Sequence, residues 1–284
     1  MRKALIDGDI LVNEVGFGSQ RVIDGEIIPN DWEWVRELCA NKIKFICEEA
    51  EADTCLIFLT NRPLISTNLN KRRIAIEEEP VEYVENFRKA LSKEREYKGH
   101  RSLVRPLHFD NLYMHLIGSY NTYVVENGTE ADDAIATYQL YSPPETTIIC
   151  SRDKDLRQIP GWYYSWECHN QEAWGPLLIT KTGFLEKITK NRLNQKGEMK
   201  PVEVYRGVGD LFLYFQMITG DSTDNIVGVK GRNKVFAYNL LKDVTSSREA
   251  ERIVKELYMD HYKEKWKEMW NEMYNLLYIR RSIS

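Results

Sequence analysis

The 284-residue chain contains no apolar run near the roughly 20 residues that a bilayer crossing needs, and Met1–Asp7 offers no secretion signal. Its five cysteines (Cys39, Cys47, Cys55, Cys150 and Cys168) follow no paired metal-binding spacing. An odd count without a secretion signal points to a reducing, cytoplasmic setting. Neither an internal repeat nor a low-complexity tract appears. Basic residues are not in excess either. Lys and Arg number 39 against 43 acids, for a net charge of −4, which taken alone argues against a general nucleic-acid binder. What is present is apolar material, 43% of residues with 11% aromatic, enough for one large domain or two intimately packed ones.

The acids are unevenly placed. Tyr123–Val125 and Thr146–Cys150 are short apolar runs rich in β-branched residues, the pattern of buried parallel strands. Between them Ala131–Tyr141 has helical spacing and stops before Pro143-Pro144. Each expected strand empties into carboxylates: Glu130, Asp132 and Asp133 at the start of the helix, Asp153 and Asp155 after the second strand. Function in open parallel sheets collects at the carboxyl ends of strands. Two like charges about 4 Å apart repel by about 4 kcal/mol at an effective dielectric near 20, so carboxylates gathered there raise their pKa values or recruit cations. All-oxygen ligands suit Mg²⁺ or Mn²⁺, and the absence of Cys and His from the cluster argues against zinc. The plainer alternative is that these acids only complement helix N-termini. If they share one metal site, the rest of the surface is net basic and could meet a phosphate backbone.

Along the chain, Ala4–Asp7 reads as a buried first strand, and Asp7 and Asp9 would share a face if the backbone stayed extended beyond it. A helix over Trp32–Ala52 and a second strand over Cys55–Thr60 follow, this time ending at Asn61. From about 62 to 101 the composition turns charged. Lys71-Arg72-Arg73, Glu77-Glu78-Glu79 and a mixed-charge helix over Val81–Glu96 suggest a mobile excursion above the strand ends with little core, returning through Lys98 and Arg101. Further expected elements are a helix over Phe109–Gly118, a strand over Trp162–Trp166 and a surface hairpin or loop within Lys181–Lys200. The last of these holds six basic residues against two acids. A helix over Leu211–Thr219 runs into Asp221 and Asp224, and the Gly-rich Ile226–Asn233 then makes a tight turn between helices. In the closing helices, Ser247–Met259 and Lys263–Leu277, the stripe of Trp266, Trp270 and Tyr274 reads as a packing face.

The segments IDGD, YKGHR, EADD, SRDKD and GDSTDN…GVKG, in this order over roughly Ala4 to Lys242, resemble the 5′-nuclease superfamily, and most of all the short phage 5′–3′ exonucleases. That resemblance implies a PIN-like 5′-nuclease fold. Its α/β body has a central, mostly parallel sheet flanked by helices (1–204, with an arch-like excursion at about 62–101). A C-terminal helical DNA-binding region (205–284) carries a helix–three-turn–helix at about 211–242. The resemblance also implies two Mg²⁺ ions, replaceable by Mn²⁺. The first would draw on Asp7, Glu130 and Asp132 with Asp133 nearby, the second on Asp153, Asp155, Asp221 and Asp224. Lys98 and Arg101 would face the scissile phosphate. Duplex contacts would fall to Arg72 and Arg73 and, around the Gly-rich turn, to Gly228, Val229, Gly231, Arg232, Asn233 and Lys234, with K⁺ bound at that turn. The implied activity is 5′–3′ exonuclease or flap endonuclease action by a monomer on DNA with a free 5′ end or flap, without sequence preference and with no membrane role. RNA–DNA hybrids are the alternative substrate.

Three departures stand out. Asn61 replaces the acid usual after the second strand, Val227 stands where proline is common, and Asn233 stands where glycine usually closes the hairpin. Asn tolerates left-handed backbone angles, so an intact hairpin is expected. Two other readings compete. Asp7-Gly8-Asp9 loosely resembles an aspartyl-phosphatase motif, but that leaves EADD and SRDKD unused. A structure-specific DNA-binding protein with a decayed metal site would have lost only one acid, at Asn61.

Overall fold

β1 (Lys3–Asp7) runs straight into α1 (Gly8–Gly18). A hairpin of β2 (Gln20–Ile23) and β3 (Glu26–Pro29) leads to α2 (Trp32–Glu49) and β4 (Thr54–Leu59). Then come α3 (Phe87–Leu91), α4 (Phe109–Ser119), β5 (Thr122–Val124), α5 (Ala131–Tyr141), β6 (Thr147–Cys150), β7 (Gly161–Ser165) and β8 (Trp174–Ile179). A long hairpin, β9 (Phe184–Leu193) and β10 (Met199–Val208), precedes α6 (Gly209–Thr219), α7 (Lys234–Leu241), α8 (Ser247–Tyr262) and α9 (Trp266–Leu277). The computed structural model describes residues 1–62, 87–99, 104–126, 128–169, 171–193 and 197–282.

The main sheet has the order β5-β4-β1-β6-β7-β8, parallel throughout except for the antiparallel pair β7–β8. Strands buried on both faces should read as unbroken apolar runs, and β1, β4 and β6 do. Ala4 and Ile6, Ile57 and Leu59, and Ile148 and Cys150 face the core formed with α1, α2 and α4. Leu5, Leu56, Phe58 and Ile149 point the other way, onto α5. A third core belongs to the helical region, with α6 at its centre and α7, α8 and α9 around it. The architecture is therefore α/β, a mostly parallel sheet flanked by helices with a C-terminal helical region.

Several expectations need correction. Tyr123–Val125 is buried only at its end: β5 is an edge strand with Tyr123 exposed, and only Val125, just beyond the strand, joins the core. The condition under which Asp7 and Asp9 would share a face is not met, because the chain turns at Gly8 into α1, whose N-terminus Asp7 caps. Within the described part of the mixed-charge helix expected over Val81–Glu96, only Phe87–Leu91 is helical. The amides of Lys93 and Glu94 instead donate to buried Glu272 of α9, at 2.7 and 2.8 Å. Nor does that segment lack core. Arg88 is 1% exposed, and Tyr97 is buried among the helices of the third cluster. The rest of the arch-like excursion lies outside the described residues. The basic stretch Lys181–Lys200 does form a hairpin, β9 with β10. The aromatic stripe does pack, Trp270 stacking on Tyr214 and Tyr274.

Gly8 shows why α1 can start so close to the sheet. A Cβ placed there would lie 2.6 Å from the Phe58 carbonyl oxygen and 2.7 Å from Ile57 Cγ2 and Leu59 Cδ2. Overfilling such a site costs about 1–3 kcal/mol. Gly8→Ala is therefore expected to lower the urea midpoint by that equivalent, and an unchanged midpoint would mean that α1 shifts freely.

Candidate metal centre

The carboxyl ends of β1 and β6 lie side by side, and the residues just beyond them are linked. Asp7 is 3% exposed. One of its oxygens accepts from the Ile10 amide at 3.1 Å and the other from the Ser151 hydroxyl at 2.8 Å. Ser151 Oγ in turn accepts from the Asp153 amide at 2.9 Å, and Asp153 Oδ1 accepts from the Asp155 amide at 2.9 Å. One buried hydroxyl thus ties the first strand's acid to the acids after β6. From the far side α6 delivers Asp221 and Asp224, both buried. Asp155, Asp221 and Asp224 each offer one oxygen, all within 4.8 Å of one another. Gln216 of α6 steadies Asp155 through a 2.6 Å hydrogen bond from Nε2.

The electrostatics bear the mark of this crowding. Burial, with Asp9 and Asp153 adding to it, pushes the Asp7 carboxyl up to about 7. Burial and Asp153 push Asp155 up to about 7 as well. Burial together with Asp153, Asp7 and Glu130 holds Asp132 well above the usual carboxylate range. Asp153 is thus the acid through which the two halves of the cluster feel each other. The expected members Asp7, Glu130, Asp132, Asp153, Asp155, Asp221 and Asp224 are brought together at one rim of the sheet.

Cations crowd the same rim. Lys98 Nζ donates to Glu130 Oε1 at 2.7 Å, while its backbone amide donates to the Asp224 carbonyl at 3.0 Å. Tyr97 reaches the Asp224 carboxylate through its hydroxyl at 3.1 Å. Lys154 pairs with Asp221 and lies 3.6 Å from Asp155. Arg62 pairs with Asp9 at 3.0 Å. Asp133 stands differently from its neighbours. It is 1% exposed, and its oxygens accept from Arg88 and from the Arg280 amide.

No protein-family model and no curated protein matches the sequence. Solved structures do. The phage T5 flap endonuclease, in a pseudo-enzyme–product complex with DNA and metal ions, aligns over 97% of this chain and 89% of its own, with a TM-score of 0.52 at 13% identity. The chain has the fold of the phage 5′-nucleases. T5 5′-exonuclease with bound divalent zinc ions aligns over 98% of this chain and 90% of its own, with a TM-score of 0.47 at 13% identity.

In this 5′-nuclease fold the donor set fits a hard divalent cation. The candidate donors are carboxylate oxygens, buried or half-buried and mutually repelling, which suits such an ion. Asp155, Asp221 and Asp224 could hold one ion, and Asp153 lies close enough to help raise the pKa values of Asp7 and Asp132. A pH signature follows. Unfolded, Asp7 and Asp155 release their protons near 3.8, whereas folded they keep them to about 7. The metal-free fold then binds the extra protons, so its stability falls as pH rises through that window. A divalent cation takes the protons' place. Stabilisation by Mg²⁺ or Mn²⁺ in thermal melts is expected to grow between pH 5 and pH 8, by more than about 4 °C. A pH-independent increment would count against cation binding at these acids.

Elsewhere in the 5′-nuclease fold, the Gly-rich segment links α6 to α7, and Asn233 does not adopt a left-handed angle there. Its φ is −104°, and its side chain caps α7 by accepting from the Phe236 amide at 2.9 Å. Asn makes a good N-cap, so glycine's backbone freedom is not needed there. Val229 is buried and donates its amide to Ile218, and the Gly228 carbonyl accepts from Tyr262. Arg232 lies over the Phe236 ring at 4.4 Å, and Gly231 and Lys234 are exposed. Arg72, Arg73 and Arg101 lie outside the described residues.

Sequence reasoning left out several residues that build this rim. Lys154 was visible, since it sits between Asp153 and Asp155 in SRDKD. Asp9 was visible in IDGD, and beside Asn61 it supplies a carboxylate that accepts from the Thr60 amide at 3.2 Å. Ser151, Gln216 and Arg88 gave no signal, because hydroxyls, amides and a lone arginine acquire these roles only through tertiary placement.

Proposed function

We propose that the chain is a metal-dependent 5′ nuclease that hydrolyses phosphodiester bonds at the 5′ ends of duplex or flapped DNA with two Mg²⁺ ions. The observation that carries this reading is the convergence of acids from β1, α5, β6 and α6 on one rim, with Lys98 hydrogen-bonded to two of their segments. When bound, two divalent cations would activate water and stabilise the leaving oxygen of the displacement. Asp155, Asp221 and Asp224 would hold one ion, and Asp7, Asp132, Asp153 and Glu130 the other. Lys98 is placed to supply positive charge to the scissile phosphate as negative charge builds up on it. Gly231, Arg232 and Lys234, in the helical region that follows β10, would grip a duplex phosphate without reading bases.

The test uses blunt and flapped duplexes, labelled at the 5′ or the 3′ end, incubated with Mg²⁺. Short 5′-labelled products are expected from both. Products that shorten from the 3′ end, or intact DNA at all Mg²⁺ levels, would overturn the reading. An RNA strand paired to DNA serves as the third arm, and preferential cleavage of it would move the assignment to primer removal.

A further inference from the structure

Arg88 and Asp133, each 1% exposed, are the most deeply buried charges among the described residues, and this reading leaves both without a task. The Arg88 guanidinium spans Asp133 with two hydrogen bonds, of 2.8 Å from Nη2 and 3.3 Å from Nη1. Nη1 also contacts the Glu130 carboxylate, and Nη2 donates to the Tyr278 carbonyl at 3.2 Å. The same Asp133 oxygen accepts from the Arg280 backbone amide at 2.8 Å. Three distant stretches therefore meet: the start of α3, the first turn of α5, and the segment Tyr278–Arg281 that follows α9. That segment is itself held down. Ile279 is buried in the α5-side core, the Arg280 guanidinium lies over the Phe87 ring, and Arg281 donates to Asp210 at 3.1 Å.

Burying a guanidinium is unfavourable by several kcal/mol unless partners compensate for the lost water. Burial alone would lower the Arg88 pKa, and Glu130 and Asp133 more than reverse that, so it rises. Glu130 is thus gripped on one oxygen by Lys98 and on the other by Arg88. The geometry points to Arg88 and Asp133 as positioning residues: they fix Glu130 at the metal rim, and they make its placement depend on the docking of segment 278–281. On this inference, which rests on the metal-centre reading, Asp133 acts through Arg88 and is not itself a ligand.

The test measures Mn²⁺ binding to the chain by calorimetry, alongside cleavage. Substitutions around metal ligands weaken metal binding by roughly 10–100-fold. Arg88→Met and Asp133→Asn are each expected to weaken Mn²⁺ binding about 10-fold with stoichiometry unchanged, and to lower kcat while KM for DNA stays within about threefold. Arg280→Pro removes the amide hydrogen and should weaken Mn²⁺ binding more than Arg280→Ala, which keeps it. Melting curves establish that each variant is folded at the titration temperature, and Arg88→Met tests the clamp without any backbone change. Loss of one Mn²⁺ per chain in Asp133→Asn would make Asp133 a ligand and overturn the inference. So would unchanged Mn²⁺ binding in Arg88→Met. Absence of Mn²⁺ binding to the unsubstituted chain would overturn the metal-centre reading, and this inference with it.

Discussion

Asp155→Asn is expected to lower Mg²⁺-dependent cleavage by at least about 10³-fold while raising the melting temperature of the metal-free protein. Both effects have one cause. Asp155 is a half-buried carboxylate whose ionisation is opposed by desolvation and by Asp153 and Asp221. Replacing it with a neutral amide of the same shape removes that repulsion, and the new amide oxygen can still accept from Gln216 Nε2 while Gln216 Oε1 stays on Gln158. The same change deletes one of the three oxygens that lie within 4.8 Å of one another. Thermal melts with EDTA and initial cleavage rates with Mg²⁺ report the two quantities separately. If both fell together, Asp155 would be holding up the fold and not waiting for a cation.

The second large effect is expected at Lys98. Its φ of 55° lies in the left-handed region, unfavourable for a non-glycine residue by about 1–3 kcal/mol. Such strain persists only where the surroundings impose it, and here both ends of the residue are fixed. The amide is on the Asp224 carbonyl and the ammonium is on Glu130. Tyr97 at its flank is anchored in the helical core and on Asp224. Lys98→Met should therefore leave the fold and DNA affinity nearly intact and reduce kcat by about 10²–10³-fold, the loss typical for removing one group that stabilises transition-state charge. Single-turnover rates at saturating DNA test this. A raised KM with kcat preserved would place Lys98 in substrate binding instead.

The sequence revealed the parts of the rim that local chemistry dictates. Unbroken apolar runs located β1, β4 and β6, the first and last of them followed by acids, because a strand buried on both faces has no polar alternation to disguise it. The span Ala131–Tyr141 could be read to the residue, since Pro143-Pro144 ends it. Elements that owe their existence to partners were illegible. β8 contains Pro176 and sits at the sheet edge, where a missing amide donor does no harm. The hairpin β2–β3 exposes Val22, Ile23 and Ile27, so its apolar residues mark no core. Arg88 looked like one more surface charge in a charged stretch. Only the folded chain shows that two carboxylates from 42 and 45 positions away enclose it.

The sheet order carries a consequence for synthesis. The innermost strand is the first to be made, but the hydroxyl that seats its terminal acid arrives 144 positions later, and α6, which delivers Asp221, later still. At about 5–20 residues per second a ribosome spends many seconds between the two events. Throughout that interval the emerging polypeptide has only scattered acids and no assembled centre, so the acidic rim takes shape only once the α/β body and the helical region have come together.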